Sequence, residues 1–270
     1  MVNAPRDVYT HGHHESVLRS HEWRTVENSA SYLLDALDSG TRVLDVGCGP
    51  GTITIDLARR VAPATVVGVD REPEVLERAR AAAHAAGVSN VVFDAGDVYA
   101  LDVPDASFEI VHAHQVLQHL SDPVAALREM RRVCVSGGVV AARDSDYASF
   151  TWAPEDPRLT RWLALYHQVA RSNAAEPDAG RHLLQWARAA GFAHVDASAS
   201  AWCFATDTDR AWWGGMWADR VVASAFAEQA VTKGFATRPE LEEMSAAWRA
   251  WSQSPDGWFA ILHGEIRATP

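Results

Sequence analysis

The sequence predicts an α/β fold: a doubly wound, mostly parallel sheet with helices on both faces. Three observations carry this expectation. The run VLDVGCGPG at 43–51 passes from a buried-type strand into a helix through three glycines. From 41 to 143, short β-branched runs alternate with stretches of helical apolar spacing, the pattern of strand-helix-strand crossovers. Gly47, Asp70, Asp97 and His114 fall at four successive strand ends, where a sheet of this kind binds its ligands.

The elements follow in order. Trp23, Val26, Ala30, Leu33, Leu34 and Leu37 recur at three and four residues and predict an amphipathic helix packed on the sheet. Ahead of it lies YTHGHHESVLRSHEW, with Tyr9, His11, His13, His14 and His21. Val43, Leu44 and Val46 suit a first buried strand, followed by a helix over 51–61. TVVGV at 65–69 is a second strand ending at Asp70. A helix over 73–86 follows, with Pro73 in its first turn and Gly87 just past its end. A third strand at 90–93 precedes Gly96, Asp97 and Val98, and FEIVHA at 108–113 is the fourth. QVLQHLSDP then leads to a helix over 123–133, a Gly-rich turn and a fifth strand. Beyond Arg143 the alternation loosens. Helices are expected at 159–172, 181–190, within 206–238 and at 239–251, with strands at 194–204 and from Gly257 onward.

The glycine spacing narrows the ligand. A dinucleotide fingerprint reads G-x-G-x-x-G, whereas this chain reads G-C-G-P-G. Pro50 lacks an N–H at the helix start, which weakens the site for a pyrophosphate. A ligand without phosphates fits better, and a nicotinamide-dependent oxidoreductase is disfavoured.

On these motifs the segment 41–143 resembles the class I S-adenosylmethionine-dependent methyltransferases, and within them the ubiquinone/menaquinone-biosynthesis type. The usual Pro-Gly-Gly turn of that group is replaced by Ser136, Gly137 and Gly138. The resemblance implies a Rossmann-like, seven-stranded sheet in the order 3-2-1-4-5-7-6, with the last strand antiparallel between strands five and six. It implies a helical cap over 1–40 and a methyltransferase domain over 41–270, with lid insertions at about 144–180 and 205–238. It also implies S-adenosyl-L-methionine as cofactor. Asp70 would take the ribose hydroxyls, and Gly96, Asp97 and Val98 would flank the adenine. Gly47, Cys48 and Gly49 would lie along the ligand, and Tyr9 would close over it. Asp45 either ties the glycine loop or meets the cofactor amine. Arg71 either flanks the adenine or faces solvent, and Cys48 reads as a small residue between glycines rather than a nucleophile.

Methyl transfer from a sulfonium needs alignment, exclusion of water and at most a modest base. Among twelve histidines, His114, His119 and His14 are the candidates for base or acceptor orientation, and His114 also for contact with the cofactor. His112 and His114 share a strand face by the period of two. His119 reads equally as a structural helix histidine. Every tryptophan but Trp23 lies after Phe150. Each alone reads as core packing; the WWGGMW cluster, with Trp212, Trp213 and Trp217, reads as a substrate pocket, its two glycines marking a mobile or closely approached segment.

Composition bounds the partners. A net charge of −11 disfavours nucleic acid and favours a small-molecule acceptor. Three scattered cysteines offer neither a disulfide framework nor a metal site. No stretch approaches membrane-spanning length, so the chain reads as cytoplasmic, with a homodimer left open. The expected function is methyl transfer to oxygen, carbon or nitrogen of a small molecule, in the manner of secondary-metabolism tailoring enzymes. The alternative is a relative that keeps the cofactor but no longer transfers methyl, as a cyclase-like catalyst or a binding subunit.

Overall fold

The computed structural model describes Asp7, Thr10, His21 and residues 23–270. Five parallel strands, β1 (Val43–Val46), β2 (Val66–Asp70), β3 (Val91–Ala95), β4 (Phe108–His114) and β5 (Cys134–Ser145), lie in the order β3-β2-β1-β4-β5. Three more follow: β6 (Thr151–Ala153), β7 (His194–Phe204) and β8 (Trp258–Thr269). β8 runs antiparallel beside β5 and carries β7 on its other edge. This is the order expected for the first five and last two strands. The expected seven strands become eight, however. Only His263 to Ala268 of β8 pair with β5, so residues 258–260 run past the end of β5 and recruit Thr151–Ala153 as β6.

Crossover helices cover the faces: α1 (Val26–Ser29), α2 (Thr52–Val61), α3 (Pro73–Ala85) and α4 (Pro123–Val133). The single amphipathic helix expected near the N-terminus is broken. Ala30 leaves the helical region at φ −139, and Ser31–Ala36 continue as a 3₁₀ turn. The period of three buries Leu33 but turns Leu34 outward, 38% exposed. Asp122 caps α4 by accepting from the Ala125 N–H, with Pro123 in the first turn. Val46, Val111, Val140 and Ile266 pack with Leu127 and Met130 on one sheet face, while Val43, Val66 and Ile110 pack with Leu57 and Val61 on the other.

After β5 come α5 (Pro157–Ser172), α6 (Leu183–Ala189), α7 (Asp207–Ala223), α8 (Ala225–Thr232) and α9 (Arg238–Gln253). Capping boxes start α7, from Thr206 and Asp209, and α9, from Thr237 and Glu240. Helices α5, α7, α8 and α9 close over a separate aromatic core that includes Trp162, Trp217, Trp248, Phe204 and Phe259. Among the described residues no helix is long and apolar enough to cross a membrane.

The two glycines of WWGGMW lie inside α7 and behave differently. A Cβ on Gly214 would stand 2.6 Å from Ser252 Cβ and 2.9 Å from the Trp248 carbonyl oxygen, so α7 and α9 cross against bare backbone there. A Cβ on Gly215 meets nothing within 4 Å among the described residues. Gly214→Ala is therefore expected to destabilise the chain by about 1–3 kcal/mol through overpacking. Gly215→Ala should stabilise it by about 0.5–1 kcal/mol by relieving helix entropy. Urea unfolding of the two variants beside the parent checks both signs.

Candidate active site

A cavity of about 700 Å³ opens at the carboxyl ends of β1, β2, β3 and β4 and continues beneath α7. The glycine loop forms its floor. Gly47, Gly49 and Gly51 have φ of 66°, 53° and 82°, in the left-handed region that favours glycine. Val69 carbonyl oxygen accepts from both the Gly47 and Cys48 N–H groups, which pins the loop to β2. A Cβ at Gly47 would stand 2.4 Å from Val116, whereas among the described residues one at Gly49 has only His21 Nδ1, at 3.7 Å, within 4 Å. The first glycine serves packing; the second leaves backbone open to a ligand.

The residues expected to hold the cofactor converge here. Asp45, Cys48, Asp70, Arg71, Gly96, Asp97 and Val98 all line this cavity. Asp70 Oδ2 accepts from the Gly49 N–H at 3.0 Å and Oδ1 from the Glu72 N–H at 3.1 Å, so the backbone fixes the carboxylate at the end of β2. Asp97 is held by the Tyr99 N–H at 3.0 Å. Arg71 pairs with Glu72 at 3.2 Å on the rim. Asp45 is deeply tied: Thr54 donates to Oδ2 at 2.6 Å, and His112 Nδ1 lies 2.8 Å from Oδ1. These bonds tie the end of β1 to α2 and β4. Burial pushes the Cys48 thiol well above its usual range, which keeps it protonated and unreactive. Tyr9 and His14 lie outside the described residues.

His114 and His119 both line the cavity. His114 is 5% exposed, and neither ring nitrogen has a hydrogen-bond partner among the described residues. Burial, and then the positive charges of Arg24 and Arg143, hold it well below its usual 6.5. His119 is lowered to about 3, first by burial and then by Arg24 and Arg71. Its Nε2 accepts from the Gln118 amide at 3.0 Å, which suits positioning rather than proton transfer.

Trp212, Trp213 and Trp217 form the far wall of the same cavity, joined by Trp202, Tyr147 and Phe150. Trp213 stacks on Phe204 with centroids 4.3 Å apart. Trp202 is braced beneath by Arg143, whose guanidinium lies 4.9 Å from its ring. Arg143 itself is 1% exposed and bound to Glu265 at 3.1 Å and Ser200 at 3.0 Å. Behind the wall, burial raises Asp144 to about 8.

Several lining residues escaped sequence reasoning. Gln115, one position past β4, has φ 55° and accepts from Arg24 while its amide nitrogen donates to Ser145 at 2.8 Å. A non-glycine residue in the left-handed region beside a ligand cleft is a strained feature, and nothing in the letter Q announces it. Arg24, Trp202 and Arg220 likewise reach the cavity from distant parts of the chain. Among the described residues no group of three or more metal-ligating side chains forms.

Comparison with known proteins bears on this geometry. A family profile described as "Methyltransferase domain" matches residues 37–208. An uncharacterized methyltransferase of Schizosaccharomyces pombe is 35% identical over 98% of both chains. A demethylmenaquinone methyltransferase of Roseiflexus castenholzii is 34% identical over 62% of this chain and 66% of its own. Among solved structures, the [4+2]-cyclase SpnF shares the fold with a TM-score of 0.54 and 24% identity, covering 92% of this chain and 84% of that one. With the glycine loop, the fixed Asp70 carboxylate and the match over most of the sheet, the chain belongs to the class I S-adenosylmethionine-dependent methyltransferases.

Proposed function

We propose that the chain methylates a small molecule seated between His114 and the tryptophan wall, with His114 as general base. The observation that carries this reading is the His114 ring: buried, held below its usual 6.5 and lining the cavity, with neither nitrogen hydrogen-bonded among the described residues. A general base needs a free lone pair, and this imidazole has one at ordinary pH.

The cofactor end supports the reading by fit. The bare backbone at Gly49 accepts a close ligand, and the Asp70 carboxylate is a ready acceptor for a pair of hydroxyls. Gly96 to Val98 form the adenine-side wall and Asp97 supplies a carboxylate for an amino group. Held by these residues, S-adenosylmethionine would supply an activated methyl group on a sulfonium, with the neutral thioether as leaving group. His114 takes the proton that the acceptor releases. Trp202, Trp212, Trp213 and Trp217 exclude water and hold the acceptor flat. Gln115, fixed by Arg24 and Ser145, shapes the junction between the two ends.

The test is calorimetric titration with S-adenosylmethionine, S-adenosylhomocysteine and NAD, followed by a turnover screen of phenolic, quinone and carboxylate acceptors. Micromolar binding of both adenosyl ligands, none of NAD, and methylation of a member of the screen are the expected results. Adenosyl binding without transfer to any acceptor would favour the cyclase-like or binding-subunit alternative, whose fold precedent is the cyclase neighbour. Binding of NAD would overturn the assignment.

A further inference from the structure

Two carboxylates anchor the section of acceptor wall that follows β5, and they are held differently. The 3₁₀ turn Tyr147–Ser149 carries Tyr147 and leads to Phe150, both of which line the cavity. Tyr147 stacks on Tyr166 and on Phe150, with ring centroids 3.9 and 4.3 Å away. Just before the turn, Asp146 is gripped by Arg181 through Nε and Nη2, each at 2.6 Å. Inside it, the Ala148 N–H donates to Asp178 Oδ1 at 2.8 Å. An arginine stays charged at every ordinary pH, so the first anchor does not respond to acid or base. The second does.

His167 of α5 is the reason. Its Nδ1 lies 2.9 Å from the Leu163 carbonyl oxygen and its Nε2 lies 2.8 Å from Asp178 Oδ1. Carbonyl and carboxylate oxygens only accept, so both contacts are hydrogen bonds at once only when each ring nitrogen carries a hydrogen. That species is the imidazolium. Burial pulls the ring down, but the Asp178 and Leu163 bonds outweigh it and hold His167 above its usual 6.5. Burial likewise pushes Asp178 up, and His167, the Ala148 N–H and Arg171 together hold its carboxyl below the usual range, so it stays an acceptor.

The other charged groups about this pair come from α5, the loop after it and α8. Arg171 bonds Asp178 Oδ2 at 3.0 Å and stands 3.8 Å from Glu176. Arg181 is bound to Asp146, and Lys233, just past α8, bonds Ser172 and Asn173 at 2.7 Å. Tyr147 meets the His167 ring edge-on, with centroids 6.5 Å apart. Histidine is the side chain of this set whose charge ordinarily changes between pH 5 and 8.

We propose that His167 and Asp178 form a proton-dependent latch that positions the Tyr147–Phe150 section of the acceptor wall, firm while His167 is an imidazolium and slackened once it loses a proton. The neutral ring donates through one nitrogen only. Either the Asp178 bond is lost, or it survives without its charge while the Nδ1 lone pair faces the Leu163 oxygen. In both cases Asp178, which accepts the Ala148 N–H, is less firmly fixed, and the turn leans more on the Asp146 anchor. The acceptor end is then gripped more firmly in acid than in base. That this wall meets the acceptor rests on the reading above; the latch itself does not.

Hydrogen exchange followed by mass spectrometry, corrected for the intrinsic effect of pH on exchange, reads the turn in the full chain without cofactor or acceptor. A histidine raised above 6.5 on folding contributes its stabilisation below that value and loses it as pH rises through the raised one. Protection of peptides covering 146–150 should therefore fall about fivefold from pH 5.5 to pH 8.5, the difference between a charge-assisted bond and a neutral one. In His167→Gln, which keeps a donor for Asp178 but has no proton to lose, that fall should vanish. Nitrogen-15 NMR of the histidine-labelled parent gives the measurement that needs no variant. His167 should carry hydrogens on both nitrogens at pH 5.5 and titrate above 6.5, and Asp178→Asn should lower its midpoint, because burial remains and the carboxylate is gone. A neutral His167 at pH 5.5, a turn whose protection ignores pH, or an equal fall in folded His167→Gln would each overturn the proposal. The parent's titration and exchange stand even where a variant does not fold. Both readouts are blind to methyl transfer, so the latch and the transfer reading succeed or fail separately.

Discussion

Asp70→Ala is expected to weaken S-adenosylhomocysteine binding by about 100-fold or more, a loss of roughly 3 kcal/mol or above. The carboxylate sits at the end of β2, and its two oxygens are aligned by the Gly49 and Glu72 N–H groups at 3.0 and 3.1 Å. Each hydrogen bond from a ribose hydroxyl to a fixed carboxylate is worth about 1.5–3 kcal/mol, so two account for the loss. The backbone alignment matters because it removes the cost of ordering the side chain on binding. Asp70→Asn keeps the shape and one carbonyl acceptor, and should fall between the parent and the alanine variant. Asp70 is only partly buried, so the melting temperature should move little beside the affinity. Calorimetry paired with thermal unfolding checks this, and unchanged affinity in Asp70→Ala would remove Asp70 from the ribose site.

The parts of this molecule legible in the sequence are those set by local rules. VLDV, the three left-handed glycines and Asp70 come from one strand-loop-helix-strand unit, whose hydrophobic period and turn chemistry fix geometry over thirty residues or so. The first five strands and their order follow from such units. What failed is settled by tertiary contact. The N-terminal helix reads as continuous from its apolar spacing, yet Ala30 breaks it and Leu34 turns to solvent. β6 exists because β8 overruns β5, a length relation between segments over a hundred residues apart. Arg220 and Gln115 belong to the candidate site because of where α7 and the end of β4 are carried. A buried arginine in a sequence looks like any surface arginine. The histidines were the intermediate case: the period of two put His112 and His114 on one face, but only the packing separates their roles. His112 is bound to Asp45, whereas His114 lines the cavity with neither nitrogen hydrogen-bonded among the described residues.

His114→Ala should lower kcat by about 100- to 10,000-fold, the range for loss of a positioned general base. S-Adenosylhomocysteine affinity should stay close to that of the parent, because the cofactor end is built on β1 to β3. The substitution severs no hydrogen bond among the described residues, since neither ring nitrogen has a partner, so the fold is expected to survive. The pH profile gives a second, independent readout. Burial first, and Arg24 second, hold the imidazole well below 6.5, which means that it stays unprotonated as the solution is acidified. The base is lost only when pH falls through that lowered value, so kcat/KM should remain flat from about pH 8 down to about 6 on the His114 side of the profile. Removing a nearby positive charge makes protonation easier. In Arg24→Met the acid limb should therefore move to higher pH, while in His114→Ala it should vanish with the activity. A histidine that merely packed would cost solubility or melting temperature when removed, and would leave the limb where it was in the Arg24 variant. Stopped-assay rates from pH 5 to 9 on the three proteins, using whichever acceptor turns over, distinguish a proton-accepting His114 from a structural one.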